Sequence, residues 1–380
     1  MIYLDNAATT LHKPEPVPQA VFDCMSQGLG NSGRGVHADS LKSSSLVFDC
    51  REKLAKLFHT SNPAQVVFAY NATEALNIAI MGSINLGDHV ISTDLEHNSV
   101  LRPLYRLQKE QNVALDFIPA DKQGFLDYDL LPKLIRKESK ALIVNHASNV
   151  TGNVSNLKLF GKFAKEHDLL FIVDASQTAG SFDINMPELG IDVLCFTGHK
   201  GLYGPMGTGG LVVREGLELR PLKVGGSGVQ SYNPEQPQEM PTHLEAGTLN
   251  AHGICGLNAA LSWIEELGVE HIHEREMVLM RKFYEALCDK EEFIIYGDFT
   301  QQERAPIVSL NLRDSDSAAL SDYLAEHYNI ATRPGAHCAP RMHKALGTTD
   351  CGCTRFSFGY FNTPEEVDQA IAALYEISAQ

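Results

Sequence analysis

One lysine, Lys200, follows the apolar run 193–196 in a glycine-rich loop, Thr197-Gly-His199-Lys200-Gly-Leu-Tyr-Gly-Pro205. An amine presented beside the end of a buried strand suits Schiff-base chemistry, because it must be desolvated and free of ion pairs to attack an aldehyde. A solvated loop lysine would look the same in isolation. Upstream, the apolar run 169–173 ends in Asp174 and continues Ala-Ser-Gln177. That carboxylate sits at a strand's carboxyl end, the edge where open α/β sheets bind ligands. Helix N-capping is the competing role for it.

A pyridoxal phosphate ring needs such a carboxylate, which keeps the ring nitrogen protonated so that the ring can act as an electron sink. A third stretch, 66–77, is strand-like up to residue 69 and then runs Tyr-Asn71-Ala72-Thr73-Glu74 into an apolar-periodic helix. Backbone N–H groups at such a helix start, together with the Thr73 hydroxyl, can hold a phosphate without lysine or arginine. Plain capping of a helix that binds nothing uses the same residues.

Phosphate cradle, strand-end aspartate and loop lysine, in that order, resemble the fold type I pyridoxal phosphate enzymes and, more closely, the class V aminotransferase family. The resemblance covers nearly the whole chain. Within that family, Tyr3-Leu-Asp5-Asn6-Ala7-Ala8-Thr9, Thr93-Asp-Leu-Glu96-His97-Asn98, His146-Ala-Ser-Asn149-Val-Thr-Gly152 and Phe196-Thr197-Gly-His199-Lys200 look like cysteine desulfurase motifs. The resemblance implies that Lys200 carries the cofactor. Ala72, Thr73, Asn149, Asp174, Gln177, Thr197 and His199 would line it, with His97 stacked on the ring and moving protons. Glu245-Ala-Gly-Thr248 resembles the segment that donates a threonine to the phosphate of a partner subunit, so a homodimer is expected, with Arg34 and His37 near the neighbour's site.

The segment Arg333-Pro-Gly335-Ala-His337-Cys338-Ala-Pro340 resembles the acceptor loop of the second, SufS-like group of cysteine desulfurases and selenocysteine lyases. The implied reaction converts L-cysteine to L-alanine, with sulfur passed as persulfide to Cys338. A cysteine must be a thiolate to attack sulfur, and Arg333 or a protonated His337 would assist. Arg355, inside Arg355-Phe-Ser-Phe-Gly-Tyr-Phe-Asn362-Thr363, resembles the family's carboxylate-binding arginine; an arginine on an apolar strand needs a buried anion. Asn6, Ala7 and Arg333 complete the substrate set, and the family context implies iron–sulfur cluster assembly and a sulfur-acceptor protein. Selenocysteine lyase, ordinary aminotransferase and a non-catalytic sulfur-carrying scaffold are the alternatives. Cys351-Gly-Cys353, with His337, Cys338 and His343 nearby, offers soft ligands, but the spacing matches no standard paired-cysteine zinc pattern, and no metal is expected.

These groups need a scaffold that gathers strand ends. Apolar runs at 66–69, 89–93, 114–118, 141–145, 169–173, 193–196 and 210–213 alternate with helical patterns at 17–28, 43–58, 72 onward, 101–111, 128–136 and 157–167. Such alternation predicts an α/β fold with a mainly parallel, doubly wound sheet. Past 251 the pattern changes. Helices at 256–267, 274–288, 318–327 and 364–377 are mixed with strands at 293–296, 307–312, 329–333 and 354–359, which suggests a smaller α+β unit. A large cofactor-binding domain over 15–250 and a small domain built from 1–14 and 251–380 are expected.

Net charge of −16 and the lack of a basic run argue against nucleic acid and anionic lipid. No apolar run approaches a membrane span, and the start of the chain lacks a leader pattern, so a cytoplasmic protein is expected. Eight scattered cysteines do not form a disulfide framework and should be mostly reduced.

Overall fold

The computed structural model describes residues 1–33, 37–313 and 315–379. Its main sheet has seven strands, in the spatial order Val66–Ala69, Gly209–Val213, Val193–Thr197, Leu170–Asp174, Ser139–Asn145, His89–Thr93 and Ala114–Ile118. Only Gly209–Val213 runs against its two neighbours; every other pairing is parallel. The apolar runs are nearly unbroken because successive side chains enter two different cores, one on each face. Phe171, Val173, Leu194 and Phe196 point into one, while Leu170, Ile172, Val193 and Cys195 point into the other.

Helix starts follow local capping chemistry. The Asn71 side chain accepts from Glu74 N at 2.9 Å and opens the helix Ala72–Ser83, an arrangement worth about 1 kcal/mol. Asn156 caps Leu157–Glu166 and Asp316 caps Ser317–Tyr328 in the same way. Three expected elements differ. The helix over 128–136 shrinks to the 3-10 turn Tyr128–Leu130 and one α turn, Leu131–Leu134. The strand over 329–333 is reduced to Ile330–Ala331, because Asn329 is the left-handed cap of the preceding helix (φ 54°). A short helix, Pro340–Leu346, follows Cys338 where none was expected.

A second assembly combines the antiparallel sheet Thr354–Ser357, Ile307–Leu312 and Phe293–Tyr296 with the parallel pair Ile2–Tyr3 and Ile330–Ala331. Ile2 and Leu4 share its core with Phe283, Val308, Phe356 and Leu374. The helix Ala251–Leu267 packs elsewhere: Ile254, Leu257 and Ile264 join the core of the large sheet. For that reason we place the division between the two units after Leu267 rather than at 251. Cys24 and Cys255, on the helices Pro16–Ser26 and Ala251–Leu267, form a disulfide, while the other six cysteines are free. No described helix is long and apolar enough to cross a membrane.

Candidate active site

The carboxyl edge of the main sheet opens into a cleft lined by Asn71, Ala72, Thr73, His97, Ser99, Asn145, Ala147, Asn149, Asp174, Ser176, Gln177, Thr197, His199 and Lys200. Nine of these were expected: Ala72, Thr73, His97, Asn149, Asp174, Gln177, Thr197, His199 and Lys200. They meet because parallel strands deliver all their following loops to one edge. Ser99, Asn145 and Ser176 went unrecognised, although each lies within four residues of an expected one.

Lys200 Nζ makes no hydrogen bond or ion pair among the described residues. Burial and then the Arg355 guanidinium lower its pKa to about 8, against the pull of Asp174 and Asp5. A free amine is therefore accessible close to neutrality. Asp174 is buried and anchored through Oδ1, which accepts from Ser176 N at 2.9 Å and from the Ser176 hydroxyl. Its Oδ2 is left to the cleft.

His97 caps the helix Asn98–Gln111: its Nδ1 accepts from Ser99 N at 3.0 Å and faces Ser99 Oγ at 2.9 Å. Ser99 Oγ also meets Thr73 Oγ1 at 2.7 Å, which ties two helix starts together across the cleft. Burial lowers the His97 pKa to about 4. A proton on this ring is therefore held weakly at neutral pH. A neutral ring with Nδ1 engaged offers Nε2–H as a donor and a flat face to stack on. His199, lowered to about 4 by burial, turns Nδ1 to Thr9 Oγ1 at 3.0 Å.

The segment 333–340 leads into the helix Pro340–Leu346, whose Met342 and Leu346 join the core of the large sheet. Cys338 is exposed, and both it (φ 57°) and His337 (φ 49°) occupy the left-handed region, a conformation that non-glycine residues adopt at a cost. Two hydrogen bonds hold them there. Asn98 N donates to Cys338 O at 2.7 Å, and Asn149 Nδ2 donates to His337 O at 2.8 Å. Asn149 thus links the cleft to the loop. Burial lowers the His337 pKa to about 3, which disfavours the protonated ring expected to assist Cys338, and Nε2 donates to Arg333 O at 3.0 Å.

Arg355 is buried, yet the anion it requires belongs to the chain itself. One guanidinium nitrogen reaches Asp5 Oδ1 at 2.8 Å and another Asn149 O at 3.0 Å, while Nε is buried without a partner. Arg333 is bridged to Arg355 through the backbone, and its guanidinium has no partner among the described residues. Asn6 Nδ2 donates to Ser357 O and Asn362 Oδ1, each at 3.0 Å, and so fastens the amino-terminal segment. Ala7 N binds Ser357 Oγ at 2.9 Å, and Ala7 O accepts from Gln177 Nε2 at 3.2 Å. Thr248 is exposed and lies outside the cleft of its own chain, near Asn31. His37 is exposed ahead of the helix Ala38–Leu57, and Arg34 lies outside the described residues.

The cleft fits pyridoxal phosphate on its own donor set. Thr197 Oγ1 is buried with no partner, and Asn71, Ala72 and Thr73 at the start of the helix Ala72–Ser83 line the same cavity. An unpaired buried hydroxyl beside a helix start suits a phosphate. Asp174 Oδ2 and the unpaired Lys200 supply the two further contacts that the ring requires.

Fold and cleft together define a class V aminotransferase architecture of fold type I. The sequence profile described as aminotransferase class-V matches residues 2–370, and the chain belongs to that family. It is similar to a probable cysteine desulfurase of Methanothermobacter thermautotrophicus, with 33% identity over 99% of this chain and 94% of that protein. A cysteine desulfurase of Klebsiella pneumoniae is 32% identical over 99% of this chain and 93% of its own length. Among solved structures, apo cysteine desulfurase from Thermococcus onnurineus superposes with TM-score 0.93 at 34% identity, covering 100% of this chain and 94% of that one. The cysteine desulfurase CsdA of Escherichia coli, in its S-sulfonic acid form, gives TM-score 0.89 at 30% identity over 98% and 94%.

Proposed function

We propose that the protein is a pyridoxal phosphate-dependent cysteine desulfurase that converts L-cysteine to L-alanine, with Cys338 as the sulfur acceptor. The observation carrying this reading is the loop of Cys338: an exposed cysteine in a left-handed turn, its carbonyl held by Asn98 N and that of the preceding His337 held by Asn149, a residue that lines the lysine cleft. The relatives named above, all called cysteine desulfurases, support it. Placement in the SufS-like group rests on the motif 333–340.

When bound, the cofactor supplies an electron sink for the substrate's α-carbon. Lys200 Nζ, readily unprotonated, holds the cofactor and then takes and returns the proton at that carbon. Asp174 Oδ2 would pair with the ring nitrogen, and the Thr73 hydroxyl, the Thr197 hydroxyl and the backbone N–H of Ala72 would hold the phosphate. Asn149, Gln177 and His199 would border the ring, and the His97 ring would stack on it. Arg333 and Arg355 fix the α-carboxylate, with Asp5 and Asn149 O orienting the second guanidinium. Cys338 Sγ attacks the substrate sulfur. A sulfur–sulfur bond forms, the substrate carbon–sulfur bond breaks, and its electron pair stays with carbon, which gains a proton to become the methyl of alanine. The protein thiol is thereby oxidised to a persulfide as the substrate carbon is reduced.

Thr248 lies outside its own cleft, which supports a homodimer in which it reaches the partner's phosphate. A sulfur-acceptor protein would collect the persulfide at the exposed loop, in service of iron–sulfur cluster assembly. The cytoplasm would keep the acceptor thiol of Cys338, one of the six free cysteines, reduced.

The test is to incubate cofactor-loaded protein with L-cysteine and a reductant and to measure alanine and sulfide beside Cys338→Ala. Equal yields of the two, cut at least about 100-fold in the variant while bound cofactor is retained, are expected. Amino transfer to a keto acid without sulfide would move the protein to the aminotransferases, and turnover confined to selenocysteine would make it a selenocysteine lyase.

A further inference from the structure

Behind the acceptor loop, three buried side chains point at one another: His337 (4% exposed), His343 (1%) and Cys353 (0%). Their candidate ligand atoms all lie within 4.8 Å of one another. The two imidazoles are nearly parallel, with ring centres 5.7 Å apart and planes at 12°. Each ring has one nitrogen engaged by an oxygen and its other nitrogen turned to the shared space. His337 Nε2 donates to Arg333 O at 3.0 Å, leaving Nδ1 with a lone pair 3.9 Å from Cys353 Sγ. His343 Nδ1 meets Thr348 Oγ1 at 2.7 Å, leaving Nε2 buried and without any partner. Backbone and hydroxyl oxygens that fix the far nitrogen are what orient metal-binding histidines. An unpaired imidazole nitrogen in a buried space is costly unless something binds it.

We propose that His337 Nδ1, His343 Nε2 and Cys353 Sγ form a zinc-binding site. Two imidazoles and a thiolate suit this borderline-soft ion, and a small exogenous ligand would complete a tetrahedron. Zinc bonds of roughly 2.0–2.3 Å require the three side chains to close slightly around the ion. Binding converts the Cys353 thiol to a zinc thiolate and releases its proton to solvent. Cys351, two residues away, does not take part: its sulfur lies 3.6 Å from Asn311 Nδ2 and 3.4 Å from Gly352 O. The ion would join three pieces of chain. These are the left-handed turn carrying Cys338, the helix Pro340–Leu346, and the start of the strand Thr354–Ser357 that holds Arg355. Zinc is thus a clamp on the acceptor loop, and the site holds whatever reaction the cleft performs.

The experiment takes full-length, cofactor-loaded, reduced protein, strips it with a chelator, equilibrates it with zinc ions, and counts the metal retained after gel filtration. Wild type and Cys338→Ala should each keep one zinc ion per chain. Cys353→Ala and His343→Gln should bind at least about tenfold more weakly. Equal retention by all four proteins, no retention by wild type, or loss confined to Cys338→Ala would overturn the site. Should Cys353→Ala fail to fold, melting temperature decides. Zinc should raise it in the wild type and leave it unchanged in His343→Gln; a wild type that zinc does not stabilise would also overturn the proposal.

Discussion

Lys200 and Glu96 show two opposite consequences of burying a charge at the same sheet edge. Burial lowers the lysine to about 8 and raises Glu96 to about 8, although Glu96 accepts from Thr93 Oγ1 at 2.7 Å and Asn145 N at 3.0 Å. For Glu96 the folded state binds its proton more tightly than the unfolded chain. Its contribution to stability is therefore fully present below the ordinary value near 4.5 and is lost as pH rises towards 8. Glu96→Gln keeps an acceptor and removes the ionisation. It should stabilise the protein at pH 8 by about 1–3 kcal/mol and flatten the pH slope of chemical denaturation across that window. Parallel slopes for the two proteins would refute this assignment. At this scale the sequence showed residue identities better than ionisation states. Lys200, Asp174 and Cys338 stood out by position, but the neutral state of His337 and the Asp5 partner of Arg355 depend on neighbours more than 300 residues apart in one case.

Elements carry the next level of constraint, clearest where the lysine loop crosses the turn after Asp174. Gly180 has φ +96°, and a Cβ there would sit 2.2 Å from the carbonyl oxygen of Gly201, the residue after Lys200. Gly180→Ala is thus both conformationally strained and pressed against backbone. We expect a loss of at least about 2 kcal/mol of stability and a shifted absorbance of bound cofactor, because the loop must move to make room. Unchanged melting temperature and spectrum would show that the contact is not limiting. Strand and helix positions in the main sheet were legible because two buried faces leave continuous apolar runs. The helix Pro340–Leu346 was not, being too short for a periodic signal and placed directly after a loop motif that drew the reading to its chemistry. The core that receives the helix Ala251–Leu267 was not legible for a related reason: amphipathicity shows that a helix packs, not which core it joins.

For the whole molecule, the acceptor loop lies where the two units meet. Ala339, Met342, Leu346 and Cys353 pack into the core of the large sheet, while Phe356 and Phe358 belong to the second core. If Thr248 completes a partner's site, mixing Lys200→Ala chains with Thr248→Ala chains should restore up to about a quarter of wild-type activity, through hybrid dimers that hold one intact site. No recovery from a preparation shown to exchange subunits would place Thr248 outside the site. The most direct test of the account is a single turnover with L-cysteine in the absence of reductant, followed by mass spectrometry of the protein's peptides. One added sulfur atom on the peptide containing Cys338, matched by one alanine per active site, is the predicted result. Alanine formed with no sulfur on that peptide, or with the sulfur on Cys351 or Cys353, would contradict it.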